Sequence, residues 1–347
     1  MSIVKVAKRA GVSRSTVSRV INGLPSVSGE ARDAVRTAIK EIGYTPPLPE
    51  RRRGPRTKTQ GGLRTHTVAV LFTGMKKRRL SNKPALIDIF HGLQIGLAER
   101  EMNMITAFVD TSRDLPPAVA RGAVDGLLVS GYEPSEEVAT VLRRFPAVWV
   151  MPPLHGYSQT VDWVYPDDVA VGELAASYLA DRGHRQVAFL TPTLTHYEGF
   201  HVRGEAFGRL ARAHGAHVEV LNADDNGCTY DDPGAEGLVT PQLVEQLLVI
   251  RPQVTGIFLA TDLMAARVYP ILKEKGLTLG KDITVVAFNS EDPQLAGLSP
   301  RPATIDIRAA EIGRCAVEQL LWRISHGDHP AKRRVMIEPV LIDPAAP

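Results

Sequence analysis

From Thr67 to the C-terminus the chain alternates short apolar runs with amphipathic stretches, and this alternation limits the fold more than any other feature. The strand-length runs are 67–72 (TVAVLF), 104–109, 126–130 (GLLVS), 147–151, 186–191 (QVAFLT), 256–260 (GIFLA) and 283–288 (ITVVAF). Helical stretches at 85–100, 168–182, 199–214, 240–250 and 262–275 separate most of them. Strands that are apolar along their whole length, with helices between them, are expected to form parallel sheets covered on both faces. The segments VDGLLVS (124–130) and VTGIFLAT (254–261) take similar places in successive halves, which suggests two like lobes. Ligands of such sheets sit beyond the carboxyl ends of the strands, so a two-lobed arrangement would bind in the cleft.

The first 66 residues follow another pattern. They hold fourteen Lys/Arg against four Asp/Glu, whereas the other 281 hold 27 against 34, within a net charge of +3. A basic head on an acidic body suggests that only the head meets a polyanion. Ile3, Val6, Ala7 and Ala10 form one stripe of a short helix. Gly11 suits a tight turn, and Ser13 suits the cap of a second helix with Val17, Val20 and Ile21 inward. Arg14, Ser15, Ser18, Arg19 and Asn22 share its opposite face. A third helix is expected between Ser28 and Gly43, with Ala31, Val35, Ala38, Ile39 and Ile42 inward. Three short helices with a glycine turn between the first two make a helix-turn-helix unit. Its second helix enters the major groove, where an arginine can donate two hydrogen bonds to guanine. The alternative reading of the same pattern is a plain three-helix bundle with a polar second helix.

Between head and body, PPLPERRRGPRTKTQGGLRT (46–65) has no helix or strand period. The longest apolar runs are strand-sized, too short to cross a bilayer, and the N-terminus lacks the pattern of a signal peptide. Cys228 and Cys315 make neither a metal-ligand spacing nor a disulfide framework. No phosphate-binding loop or metal-ligand pair occurs, and His184 in DRGHRQV reads as a helix-end histidine. Catalysis is therefore not expected, and neither a metal nor a cofactor. A reducing cytoplasm is the expected location.

Residues 3–44, VAKRAGVSRSTVSRVINGLPSVSGEARDAVRTAIKEIGY in their main part, resemble the headpiece of the LacI/GalR family of bacterial transcription regulators, with AGVS, TVSRVING, VS and IGY in order and register. The resemblance implies base reading by Arg14, Ser15 and Arg19, with Ser13, Thr16, Ser18 and Asn22 in supporting and phosphate-contacting positions. Lys5 stands where the first helix of the family usually carries an acid. The hinge departs further. The family's hinge helix inserts a leucine into the minor groove, but Pro46, Pro47, Pro49 and the Gly54-Pro55 pair should break such a helix. Three readings remain open there. Arg51, Arg52, Arg53 and Arg56 could lie as an extended arm in a narrow A·T-rich minor groove; the segment could be a basic linker adding phosphate affinity; or a shortened wedge could survive around Leu63.

GAVDGLLVS, DDVAVGELAASYLADRGHRQVAFL, IFLATDLMAARVYPILKEKG and DITVVAFN resemble the family's effector-binding core, itself similar to periplasmic sugar-binding proteins. The implied architecture is an all-α headpiece (1–45), a basic arm (46–66), and an α/β core of two lobes, 67–161 with 291–323 and 162–290 with 324–347, crossed three times. Effector contacts carried over by position are Lys83, Trp163, Arg203, Asp262 and Asn289; Asp262 could instead only cap its helix. The run MKKRRLSNK (75–83) adds five cations and would allow an anionic effector. The resemblance implies a homodimeric regulator, of the repressor type, on an approximately palindromic operator, controlled by a sugar or sugar derivative. Two other classes fit the residues: an architectural A/T-binding protein with a vestigial cleft, and a receptor signalling to a protein partner.

Overall fold

The computed structural model describes residues 3–21, 27–45, 62–75, 84–151, 161–195, 197–224, 235–250 and 253–344. It divides into two units, residues 1–59 and 60–347.

The first unit is the expected trio of helices: α1 (Ile3–Ala10), α2 (Arg14–Ile21) and α3 (Gly29–Ile42). Val6, Ala7, Val17, Val35 and Ala38 form its core, with Ile3, Val20, Ile21, Ile39 and Ile42 packed around them. Ser28 caps α3 by accepting the Ala31 amide, and Gly43 ends it at φ 61°. A residue with a Cβ pays for that left-handed conformation.

The second unit contains β1 (Thr67–Thr73), α4 (Pro84–Ala98), β2 (Asn103–Val109), α5 (Pro117–Ala120), β3 (Gly126–Gly131), α6 (Glu136–Leu142), β4 (Ala147–Val150) and β5 (Asp162–Pro166). It continues with α7 (Asp168–Asp181), β6 (Gln186–Leu190), α8 (Glu198–Ala213), β7 (His217–Leu221), α9 (Ala235–Ile250), β8 (Gly256–Leu259), α10 (Asp262–Glu274) and β9 (Thr284–Phe288). Last come α11 (Asp292–Leu295), β10 (Ala303–Asp306), α12 (Ala309–Ser325), β11 (Arg334–Ile337) and β12 (Val340–Ile342). One six-stranded sheet runs β11-β5-β4-β3-β1-β2 and is parallel throughout. The other runs β12-β10-β9-β8-β6-β7, with β12 antiparallel. The central strands are buried on both faces, as their unbroken apolar sequences require.

Sheet membership departs from the expected lobe boundaries. β5 lies in the first sheet, because Val148 to Val150 of β4 pair with Asp162 to Val164. β10 joins the second sheet through Ala303 to Ile305 against Val286 to Phe288. β11 returns to the first sheet and β12 to the second. The chain thus passes between lobes near 167, 307–308 and 338–339. At α4 and α12 the backbones meet: a Cβ on Gly92 would lie 1.9 Å from the Ala310 carbonyl oxygen. Any side chain there would force the helices apart. No described helix is long and apolar enough to cross a membrane.

Candidate nucleic-acid interface and effector cleft

In the headpiece, Gly11 makes the turn at φ 67° and the Ser13 Oγ accepts the Thr16 amide at 3.1 Å, starting α2. The same oxygen lies 2.6 Å from Ser15 Oγ and 2.9 Å from Thr16 Oγ1. With Val17 buried, Arg14, Ser15 and Arg19 are exposed on α2, while Thr16 and Ser18 are half-buried. The first turn of α1 holds no acid. This surface pairs two mobile-headed cations with small hydroxyls on one short helix, the composition that suits base edges and phosphates together.

In the core, the carboxyl ends of the parallel strands lead to 74–75, 131–132 and 167–168 in one lobe. In the other they lead to 191–195, 260–262 and 289–291. Arg203, on the second turn of α8, lies at this level and is 1% exposed as a side chain. Its Nε donates to Asp168 Oδ1 at 2.6 Å, and its guanidinium carbon stands 3.6 Å from the centre of the Phe288 ring. Its Nη1 is buried without a hydrogen-bond partner among the described residues. Burial pushes the Asp168 carboxyl up from the ordinary range, against the pull of Arg203. An unmet buried donor costs about 1–3 kcal/mol and is rare in folded proteins. A guanidinium on an aromatic face with one nitrogen unspent is suited to an acceptor oxygen arriving from outside.

The neighbouring acid is arranged differently. Asp262 is fully buried; Oδ2 accepts the Glu291 amide at 2.6 Å and Oδ1 accepts Thr304 Oγ1 at 2.8 Å. Burial raises its carboxyl to about 8. Thr261, not Asp262, caps α10, by accepting the Met264 amide at 3.1 Å. Across the lobe, the Asp224 carboxylate accepts the Leu194 amide at 2.9 Å and the hydroxyls of Thr193 and Thr195, fixing the 191–195 turn.

Residues 2–47 match the family of bacterial regulatory proteins described as lacI family, and residues 176–343 match the periplasmic binding protein-like domain. The HTH-type transcriptional repressor PurR of Salmonella paratyphi A is 30% identical over 328 residues, covering 93% of this chain and 90% of the relative. The chain belongs to the LacI family. Another relative is the HTH-type transcriptional regulator CelR of Thermobifida fusca, 29% identical over 340 residues, with 96% and 94% covered. A solved CelR–cellobiose complex has a TM-score of 0.65 at 25% identity, over 99% of this chain and 98% of that one. A lac repressor dimer bound to operator shares the fold, with a TM-score of 0.63 over the same shares at 19% identity. This LacI-family chain is a DNA-binding transcription regulator, and its relatives are regulators rather than enzymes.

Several residues expected in this LacI-family site lie elsewhere. Trp163 is no stacking platform: it is buried in the first lobe's core, edge-on to Tyr165 with Arg334 over it. The reason is that β5 is an internal strand of the first sheet. Asp262 spends both oxygens inside the protein, so it tethers the 289–291 turn and offers nothing to a ligand. Asn289 is half-buried at the cleft end of β9, and its Nδ2 donates to Glu291 Oε1 at 3.3 Å.

Leu63 is no wedge either, since it packs against the core cluster of the body. The Asp125 carboxylate holds this segment down by accepting the amides of Arg64 at 2.8 Å and Thr65 at 2.9 Å. Asn22, Arg51, Arg52, Arg53, Arg56 and Lys83 lie outside the described residues, as do 76–82 of the basic run. His184 is a turn histidine, its Nδ1 2.9 Å from Thr255 Oγ1, and burial lowers its pKa. Asp168, Phe288, Glu291 and Asp125 were missed by sequence reasoning. Asp168 alone had a signal, as the second acid of a Pro-Asp-Asp helix start.

Proposed function

We propose that the protein is a cytoplasmic, homodimeric repressor that binds an approximately palindromic operator and is controlled by a sugar or sugar derivative held between its lobes. The observation that carries the ligand half of this reading is Arg203, whose buried Nη1 has no hydrogen-bond partner among the described residues. An oxygen-rich small molecule would satisfy it, and the aromatic rings of Phe288, Phe200 and Tyr197 around the guanidinium favour a compact ring-shaped ligand. The cellobiose in the CelR complex supports a sugar. The DNA half rests on Arg14, Ser15 and Arg19, exposed together on the second helix of the helix-turn-helix, with Ser13, Thr16, Ser18 and Asn22 as their support. A two-fold dimer asks for two-fold DNA. Arg51, Arg52, Arg53 and Arg56 then add phosphate affinity from the arm.

Ligand selects between two arrangements of the lobes only to the extent that it binds them unequally. The test is selection of sites by the purified protein from random duplex DNA, followed by sequencing. A palindrome is expected. Recovery of unrelated A/T-rich sequences would replace this reading with the architectural one.

A further inference from the structure

The turn after β9 is held in an unusual shape. Asn289 has φ 109° and Ser290 φ 62°, both in the region that disfavours residues with a Cβ. Three bonds keep it there: the Glu291 amide to Asp262 at 2.6 Å, the Ser290 amide to Thr304 Oγ1 at 3.2 Å, and the Thr304 hydroxyl to Asp262 at 2.8 Å. All of these partners belong to the second lobe. The product of the shape is the position of the Glu291 side chain. It leaves its own lobe and its Oε1 accepts the Ala85 amide, at 3.1 Å, in the first turn of α4 in the other lobe. The Asn289 Nδ2 steadies the same oxygen at 3.3 Å. Glu291 is 6% exposed, so water competes little for the contact.

The first amides of a helix have no partner within it and carry its positive end, so a buried carboxylate is a strong match for them. Here the helix and the carboxylate are on opposite sides of the cleft. The geometry points to Glu291 as a latch between the lobes, a bond made by the protein itself that holds the cleft closed before any effector arrives. This rests on the reading that the lobes open and close around a ligand, but not on what the ligand is. The strained turn has a purpose in this account. A relaxed turn at 289–290 would not carry residue 291 across.

Two single changes remove the latch from opposite sides. Glu291→Ala deletes the acceptor. Ala85→Pro deletes the donor, at a helix position where proline fits because the N–H has no partner inside the helix. Spin labels at Arg113→Cys in the first lobe and Lys281→Cys in the second, with Cys228 and Cys315 replaced by serine in the full-length protein, report the distance between lobes without added small molecule. A short distance should dominate in the parent. In both variants the closed-to-open ratio should fall roughly ten- to a hundredfold, the weight of one charge-assisted hydrogen bond.

Hydrogen exchange at residues 85–88 separates a latch from a simple helix cap. Faster exchange there in Glu291→Ala, with the distance distribution unchanged in both variants, would overturn the latch. Binding of each variant to a fixed duplex from the site selection reads the headpiece independently. Its failure in the parent would strike the DNA-binding reading instead.

Discussion

Arg323 and Arg203 are both buried, both on helices, and each grips one aspartate at an end of the same passage between lobes, Asp162 at the start of β5 and Asp168 at the start of α7. Arg323 uses four of its five N–H donors. Its Nε and Nη2 donate to Asp162 at 2.8 and 2.6 Å, and Nη1 and Nη2 donate to the carbonyls of His329 and Ala331 at 2.8 and 2.7 Å. Asp162 is equally full, since the Arg333 amide and Gln319 Nε2 reach it at 3.0 and 2.7 Å. Burial works to raise that carboxyl, but Arg323, Arg333 and Gln319 together hold it below the usual range. Arg203 makes one bond to Asp168 and leaves a buried nitrogen unspent. The carboxyl beside it is pushed up instead. The same pair of residue types thus builds a joint in one place and the proposed effector contact in the other, and the number of unmet donors among the described residues tells them apart.

The largest test falls on the joint. Arg323→Ala strands a buried carboxylate and should destabilise the protein by about 3–5 kcal/mol, read as a fall in the urea midpoint. A loss below about 1 kcal/mol would mean that the joint carries little, and the contrast with Arg203 would fail. Arg203→Ala comes next. Its partner Asp168 is already inclined to take a proton, so the fold should survive, and the DNA-bound fraction should stop responding to sugars that release or recruit the parent protein. A response that persists in a titration of the variant would move the effector away from Arg203.

Arg19 extends the comparison to an exposed arginine, proposed to read a base. Arg19→Ala should cost about 1–3 kcal/mol of discrimination between the selected site and random duplex, with stability unchanged. Equal discrimination in a competition assay would remove Arg19 from the base-reading set.

The pH dependence of stability is tested at Asp262. Its carboxyl titrates at about 8 in the folded protein against 3.8 in an ordinary setting. The folded state therefore holds a proton that the unfolded chain releases across that window, so this group makes stability fall as pH rises from about 4 to 8. Asp262→Asn should flatten that part of the stability profile. A slope unchanged between pH 5 and 8 would assign it to other groups.

What the sequence made legible followed from how local each signal was. The headpiece was readable almost residue by residue, because glycine turns, serine caps and a repeating apolar stripe act within four residues. The central strands were readable too, since TVAVLF or GIFLA can only be buried. The edge strands β11 and β12 were not, although edge strand β2 was: RRVMIEPVLID carries both, but half-exposed edges keep charges and break the apolar run. The lobe boundaries slipped for another reason: β5 and β10 are internal, but DWVYP and ATID are short and carry polar residues, so neither reads as an apolar run. In the cleft, Arg203 was identified by its position in a family motif, whereas its two companions come from afar, Asp168 thirty-five residues earlier and Phe288 on another strand. Trp163 misled because an aromatic near a crossover looks the same whether its strand is internal or free. Asp262 misled because nothing local reveals that Thr304 will close over it.

Asp125 sets one further condition on how the protein can work. Its carboxylate takes up the backbone amides of Arg64 and Thr65 just before β3 begins, and Leu63, half-buried, packs against the core beside them. The arm is therefore moored to a rigid central strand and not to a loop that could absorb slack. Any tilt of the first lobe must move the root of the arm by the same amount. Residue 63 is thus a fixed point of departure from the body.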